Sequence, residues 1–107
     1  MADRTALADA LNRMWAKFLP EIEERVAVLE HAATAASKGS LDADLRAEAS
    51  SAAHKLAGVL GTFGLDEGTV LAREAESLYA RESSGAAPDR PAFLAAQLRA
   101  VLARRNQ

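Results

Sequence analysis

Apolar residues recur every three or four positions along most of the chain, which is the spacing of one face of an α-helix. Residues 4–18 form the first such segment and predict an amphipathic helix. Pro20 then marks either a break or the first turn of a new helix, which continues toward a stop at Gly39. The apolar positions of these segments are Leu7, Leu11, Met14, Phe18, Ile22, Val26, Leu29 and Ala33.

Two helices are predicted in the middle of the chain. Ser40 or Asp42 can cap the first of them, and Gly64 is expected to end it. The second runs from about Leu65 to Arg81. Their expected core positions are Leu45, Ala49, Ala52, Leu56, Leu60, Phe63, Leu71, Ala75 and Leu78.

A loop and a last helix complete the pattern. Residues 83–88 are serine, glycine, alanine and proline, which predicts a loop. Asp89 is expected to cap the last helix, with Pro91 in its first turn. The residues expected inside are Phe93, Leu94, Leu98, Val101 and Leu102.

The pattern as a whole predicts an all-α fold. Four main helices with a short or kinked N-terminal helix, joined by short connections, favour an antiparallel up-and-down four-helix bundle. The abundance of alanine and leucine agrees with helices, and 107 residues suit a single domain over residues 1–107.

Composition excludes several classes of function. A net charge of -2 does not provide the basic surface that nucleic acids require. The chain has no cysteine for a disulfide or thiolate metal site, and no apolar run long enough to span a membrane. Without a signal-peptide pattern, a cytoplasmic protein that is a monomer and contacts neither membrane nor nucleic acid is the default expectation.

The third apolar segment, residues 42–64, has an unusual polar face. A wheel at 100° per residue places His54 about 180° from Leu45, so its imidazole is expected in solvent. No neighbour on that face is larger than serine, whereas the exposed face of an ordinary helix carries long charged side chains. These neighbours are Ala47, Ser50, Ser51, Ala57, Gly58 and Gly61.

Glycine in a helix interior costs about 1 kcal/mol relative to alanine. Gly58 and Gly61 could each simply end the helix. Alternatively, they keep the surface around His54 flat, so that the backbone and acidic pocket of another protein can approach the ring. On that hypothesis the docking surface consists of Ala47, Ser50, Ser51, Lys55, Ala57, Gly58 and Gly61.

A longer motif surrounds this histidine. Residues 53–58, Ala-His-Lys-Leu-Ala-Gly, and residues 61–65, Gly-Thr-Phe-Gly-Leu, resemble the signature of histidine-containing phosphotransfer (HPt) domains. In that family the histidine is followed by leucine two positions later, by glycine four positions later and by a second glycine ten positions later. Leu56, Gly58 and Gly64 occupy those places.

The resemblance implies a four-helix bundle that serves as a phosphorelay intermediate. His54 would accept a phosphoryl group from a receiver aspartate or a histidine kinase and pass it to another receiver aspartate. Many members carry lysine three residues after the histidine, where this chain has Ala57. A small hydroxyl residue often follows the glycine, where this chain has Val59, and Lys55 is the nearest cation.

The chemistry suits a phosphocarrier rather than an enzyme. An exposed imidazole is largely neutral and nucleophilic near pH 7. Phosphoryl transfer depends on positioning and on neutralising charge at the phosphoryl oxygens, commonly with Mg²⁺. The sequence offers no phosphate loop and no metal-binding spacing of its own, so we expect the partner receiver domain to supply Mg²⁺. Glu76, on the following helix, is a candidate to orient the ring.

Other functions fit the sequence less well. Ser50 and His54 lie one helical turn apart, but a hydrolase would also need an oxyanion hole and an orienting acid. His31 and His54 match no metal-ligand spacing. A sensor-kinase dimerisation domain would show a different pattern after the histidine. The alternative that stays open is a helical adaptor or inhibitor that binds a receiver domain through the same face without phosphorylation.

Overall fold

The structure, a computed structural model, describes residues 2–80 and 87–107, which form four α-helices and no strand. The helices are α1 (Ala2–Ser37), α2 (Ala43–Thr62), α3 (Asp66–Ala80) and α4 (Arg90–Arg105). The predicted all-α fold is confirmed. Most of the loop predicted at residues 83–88, and the predicted helix end at Arg81, lie outside the described residues.

The predictions of a short N-terminal helix and of a break or new helix start at Pro20 were wrong. α1 is one helix of 36 residues that continues through Pro20. Proline removes one backbone hydrogen bond, but Pro20 is exposed and is not part of the core. The helix continues because Trp15 before the proline and Ile22 and Val26 after it are all buried in the same core.

The ends of α1 and α2 share a local structure. Gly39 and Gly64 follow the two helices with φ of 70° and 71°, a conformation that glycine adopts without steric cost. After α2, the amide of Leu65 donates to the carbonyl of Leu60 at 2.9 Å and the amide of Gly64 donates to that of Gly61 at 3.0 Å. This is a Schellman motif, so both predicted glycine stops are confirmed.

Each helix packs against two others. α1 contacts α2 and α4, and α3 contacts α2 and α4. Ion pairs tie α4 to its neighbours: Arg99 binds Glu30 of α1, and Arg90 binds Glu74 of α3 through two nitrogens. The Arg90 guanidinium lowers the pKa of Glu74.

The core lies between the four helices. Its largest fully buried side chains are Ile22, Val26, Leu29, Leu56, Leu60, Leu94 and Leu98. None of the helices in the described part of the chain is both long and apolar enough to span a membrane.

Near the two ends of the chain, the buried residues differ from those predicted. Leu7 and Met14 are exposed, and Trp15 is buried in their place. Its indole nitrogen donates to Asn106 at 2.7 Å, and its ring meets Phe63 edge-on with centroids 5.2 Å apart. Phe93 was predicted inside but is exposed beneath the Arg90 guanidinium, 4.8 Å from its ring centroid.

Candidate functional site

His54 projects from the exposed side of α2. Asp42 begins this helix by accepting a hydrogen bond from the backbone amide of Leu45 at 2.7 Å, which fixes the first turn. The opposite face of α2 is buried against the other helices, and the His54 side chain is 75% exposed. The buried residues of α2 are Ala49, Ala52, Ala53, Leu56, Ala57 and Leu60.

Glu76 of α3 lies beside this imidazole. One of its carboxylate oxygens is 3.0 Å from Nδ1 of His54, which is hydrogen-bond distance. The Glu76 side chain is 35% exposed, so it is held partly against the protein while the ring reaches into solvent. An ionised carboxylate can only accept a hydrogen bond, so Nδ1 carries the proton in this contact. In a neutral ring with this tautomer, the lone pair is on Nε2.

An open groove of about 850 Å³ runs beside the histidine between α2 and α3. Its walls carry mainly small side chains. The larger side chains in the lining are those of Arg46, His54, Glu76 and Tyr79. The residues that line it are Ala43, Arg46, Ala47, Ser50, Ser51, His54, Glu76, Tyr79 and Ala80.

Most of the surface predicted around His54 is open. Ala47, Ser51 and Gly58 are exposed and Ser50 is half-buried. Lys55 is also exposed, but it lines a second groove, between α1 and α2, rather than the groove that contains His54 and Glu76. The structure therefore divides the predicted docking residues between two sides of the histidine, and Ser51 borders both grooves.

Ala57 does not belong to the open surface. It is only 7% exposed, because α3 covers that flank of α2. The hydroxyl of Thr69 donates to the backbone carbonyl of Ala57 at 3.1 Å across the same contact. The prediction that Ala57 lies on the exposed face around His54 was wrong, because a helical wheel gives no information about which neighbouring helix covers each part of that face.

The glycines of α2 differ in what surrounds them. A Cβ at Gly58 would point into open space. Apart from its own segment of α2, no described residue would lie within 4 Å of it. A Cβ at Gly61 would lie 3.4 Å from the hydroxyl oxygen of Thr69, so α3 limits the space there. Neither glycine ends α2, which continues to Thr62. Packing within the chain therefore does not account for glycine at position 58.

Sequence reasoning missed Arg46 and Tyr79 as neighbours of the histidine. Tyr79 is one helical turn beyond Glu76, and this spacing would have placed both residues on the same side of α3. Arg46 precedes His54 by eight residues, or about two turns. Burial raises the pKa of the Tyr79 hydroxyl.

The described residues contain no cluster of three or more His, Asp or Glu side chains arranged to hold a metal ion. In comparison with known proteins, residues 13–107 match the family described as Hpt domain, which is nearly the whole chain. No significant match is found among curated proteins or among solved structures.

Proposed function

The chain belongs to the Hpt domain family, whose members carry phosphoryl groups in two-component phosphorelays, and we propose that His54 is its phosphoacceptor. His54 receives the group from a receiver aspartate or a histidine kinase and passes it to another receiver aspartate. One observation carries the proposal: the ring is 75% exposed while its Nδ1 lies 3.0 Å from the Glu76 carboxylate. The nitrogen on the other side of the ring, Nε2, is thereby presented to a partner.

In the proposed reaction Nε2 is the nucleophile. Its lone pair attacks the phosphorus of a receiver phosphoaspartate, and the bond between phosphorus and the aspartate oxygen breaks. The aspartate leaves as a carboxylate, and the new Nε2–P bond leaves one positive charge on the imidazole ring. Nδ1 keeps its proton throughout, so no proton has to move.

Glu76 has two roles in this proposal. By accepting the Nδ1 proton it selects the tautomer whose Nε2 is free to attack. Its negative charge, at hydrogen-bond distance, also favours the ring once the ring has become positive. Glu76 does not touch the phosphoryl group, so it acts as a positioning residue.

The rest of the reacting centre belongs to the partner. Mg²⁺ bound by the receiver domain would neutralise charge on the phosphoryl oxygens. The surface around His54 makes room for that pocket, because Ala47, Ser51 and Gly58 are exposed and short. The protein is accordingly a phosphocarrier rather than an enzyme, since it contributes the acceptor ring and its positioning group only.

The architecture completes the proposal. We place the helices in an antiparallel up-and-down bundle, which agrees with the contact between Trp15 in the first half of α1 and Phe63 at the end of α2. The chain is proposed to act as one domain and as a monomer. Its proposed location is the cytoplasm, where receiver domains and the ATP that supplies kinases are found.

The proposal is tested by phosphorylating the chain. Receiver domains from the same genome are purified singly, loaded with labelled phosphate on their aspartates and mixed with this protein. The wild-type chain should take up acid-labile phosphate from at least one of them, and His54→Gln should take up none. His31→Gln is the matched control, because His31 is the other histidine and is also exposed, and it should be labelled like the wild type.

Two outcomes would overturn this assignment. Label on the His54→Gln variant would place the acceptor elsewhere. A wild-type chain that binds a receiver without taking label would favour the adaptor or inhibitor alternative, in which the same face docks without chemistry. Circular dichroism of each variant ensures that the comparison is between folded proteins.

A further inference from the structure

Arg73 lies on α3 between two residues of that helix that contact α2. On one side of it, the hydroxyl of Thr69 donates to the backbone carbonyl of Ala57 at 3.1 Å. On the other side, the carboxylate of Glu76 is 3.0 Å from Nδ1 of His54. Along the axis of α3, Arg73 is therefore at a level between the proposed phosphoacceptor and Ala57.

Arg73 also lies on the exposed edge of α3 that borders α2. At 100° per residue it is about 60° around the helix from Glu76. Ala72 and Tyr79, which are buried, lie on the opposite side of Glu76, whereas Arg73 is exposed. Side chains three residues apart on a helix are neighbours, so Arg73 and Glu76 both border the surface from which the His54 ring projects.

The cations around His54 differ in what already engages them. Among the described residues, the side chain of Arg73 has no ion pair and no hydrogen bond. Arg46 is engaged within the chain, and Lys55 lines the other groove, between α1 and α2. Arg73 is the only basic residue of α3, so it is the cation that this helix offers to the surface beside the ring.

A phosphorylated carrier has an electrostatic requirement that the transfer step does not have. A phosphoryl group on a protein side chain carries about 1.5 to 2 negative charges near pH 7. The Mg²⁺ of the receiver neutralises this charge during transfer but leaves with the receiver. The group then remains on a ring that is 75% exposed, with the carboxylate of Glu76 close by. A guanidinium suits this position, because it donates two parallel hydrogen bonds to phosphate oxygens.

We propose that Arg73 binds the phosphoryl group on His54 while the carrier is free of its partners. The guanidinium donates to the phosphoryl oxygens beyond Nε2, and Glu76 holds Nδ1 on the other side of the ring. This site rests on the proposed phosphotransfer function and adds to it a group that stabilises the phosphorylated carrier between donor and acceptor. Arg73 acts in the free carrier, whereas the Mg²⁺ of the receiver acts in the complex.

The first test measures the charge beside the phosphoryl group with no receiver present. Each chain is phosphorylated with phosphoramidate, a small donor that needs no docking, and is then freed of donor and divalent cations. A pH titration of the phosphorus NMR signal gives the pKa of the phosphoryl group. Arg73→Ala should raise this pKa by about 0.5–1, because loss of a nearby positive charge favours the protonated form. Arg73→Lys keeps the charge without the paired donors and should recover part of the wild-type pKa.

The second test measures how the phosphoryl group is shared at equilibrium. The carrier is mixed with a receiver that labels it, and the ratio of phosphorylated carrier to phosphorylated receiver is measured after transfer stops. Arg73→Ala should lower this ratio about three- to tenfold, the range for one exposed charge-assisted hydrogen bond. A residue that served docking alone would change the rate of transfer and leave the ratio unchanged.

The matched control removes the same charge far from the ring. Arg13→Ala changes an exposed arginine in the first half of α1 and should leave the pKa and the ratio at their wild-type values. Circular dichroism checks that each variant is folded, which is expected of Arg73→Ala because that side chain is exposed.

The outcomes distinguish this site from the function on which it rests. If Arg73→Ala changes neither the pKa nor the ratio, Arg73 does not bind the phosphoryl group, while the assignment of His54 as phosphoacceptor stands. A larger change in Lys55→Ala than in Arg73→Ala would overturn the proposal in favour of Lys55. If no receiver labels the wild type, the proposed function fails, and the role of Arg73 fails with it.

Discussion

Gly58 and Gly68 show how differently two helical glycines can be used. A Cβ at Gly58 would enter open space, whereas a Cβ at Gly68 would lie 2.8 Å from a side-chain carbon of Leu60 and 3.4 Å from one of Val101. Leu60 is fully buried, so it has little freedom to move away. Glycine at position 68 therefore avoids a close contact within the bundle, and glycine at position 58 does not.

Alanine substitutions should separate these two cases. Gly58→Ala is expected to raise the free energy of unfolding by up to about 1 kcal/mol, because alanine favours the helix and nothing opposes its methyl group. Gly68→Ala should lower it, since a steric cost of about 1–3 kcal/mol in a packed core exceeds the gain in propensity. Urea unfolding followed by circular dichroism measures both values.

The proposed docking role of Gly58 is tested by measuring phosphoryl transfer as well as stability. Gly58→Leu should slow transfer from receivers strongly while the protein unfolds at or above the wild-type urea concentration. Transfer and stability falling together would instead indicate that the glycine serves the fold.

Glu76 can be tested in the same residue-by-residue way. Glu76→Ala removes the group that holds Nδ1, and labelling of His54 by phosphoramidate should fall about 10- to 100-fold, as expected for one hydrogen bond to a charged group. Glu76→Gln keeps an acceptor and should lie between Glu76→Ala and the wild type. Stability should change little because the pair lies at the surface, with the His54 side chain 75% exposed. Equal labelling of all three proteins would remove Glu76 from the mechanism.

At the scale of the helix, the caps of α2 and α4 differ although both are aspartates. Asp42 accepts a hydrogen bond from the backbone amide of Leu45 at 2.7 Å. Asp89 occupies the same position before α4, with Pro91 in the first turn, but its side chain makes no capping hydrogen bond. The sequence alone predicts both caps equally.

These caps therefore form a matched pair for mutation. Asp42→Ala should lower the free energy of unfolding by about 1 kcal/mol, the typical value of an N-cap hydrogen bond. Asp89→Ala should cost clearly less, because no such bond is lost. Chemical denaturation compares the two variants under identical conditions, and equal losses would contradict the difference in capping.

At the scale of the whole molecule, α1 is longer than the bundle needs. A helix of 36 residues spans about 54 Å, which matches the longest dimension of the protein. Residues 5–9 are all exposed, and the first large buried side chain of α1 is Trp15. The family match likewise begins at residue 13. The first turns of α1 thus contribute little to the common core.

Removing those turns should have little effect. Deletion of residues 2–9 is expected to lower the free energy of unfolding by less than about 1 kcal/mol, because the exposed residues 5–9 contribute little packing. Trp15→Ala should cost about 3–5 kcal/mol, since it empties a buried site and removes the hydrogen bond to Asn106. Circular dichroism is the suitable probe, because Trp15 is the only tryptophan and the variant loses its fluorescence. A large loss in the deletion variant would show that the exposed turns are stabilising.

The sequence by itself determined the all-α fold, two glycine stops and the exposed histidine, but not the continuity of α1 through Pro20. Helical periodicity and the positive-φ glycines depend on neighbours within a few residues, so Gly39 and Gly64 could be recognised as stops without knowledge of the fold. The exposure of His54 could also be predicted from the sequence, because His54 lies opposite the apolar stripe of α2. The motif around it, including Leu56 and Gly58, pointed to the Hpt family.

Only the tertiary structure decided which flank of each helix is covered and what meets across it. α3 buries Ala57, and the fold brings Glu76 to 3.0 Å from His54, across 22 residues of sequence. The end of α4 brings Asn106 to Trp15, which selects the tryptophan rather than Met14 for the core. These contacts depend on the relative placement of helices, and a periodicity of 3.6 residues contains no information about it.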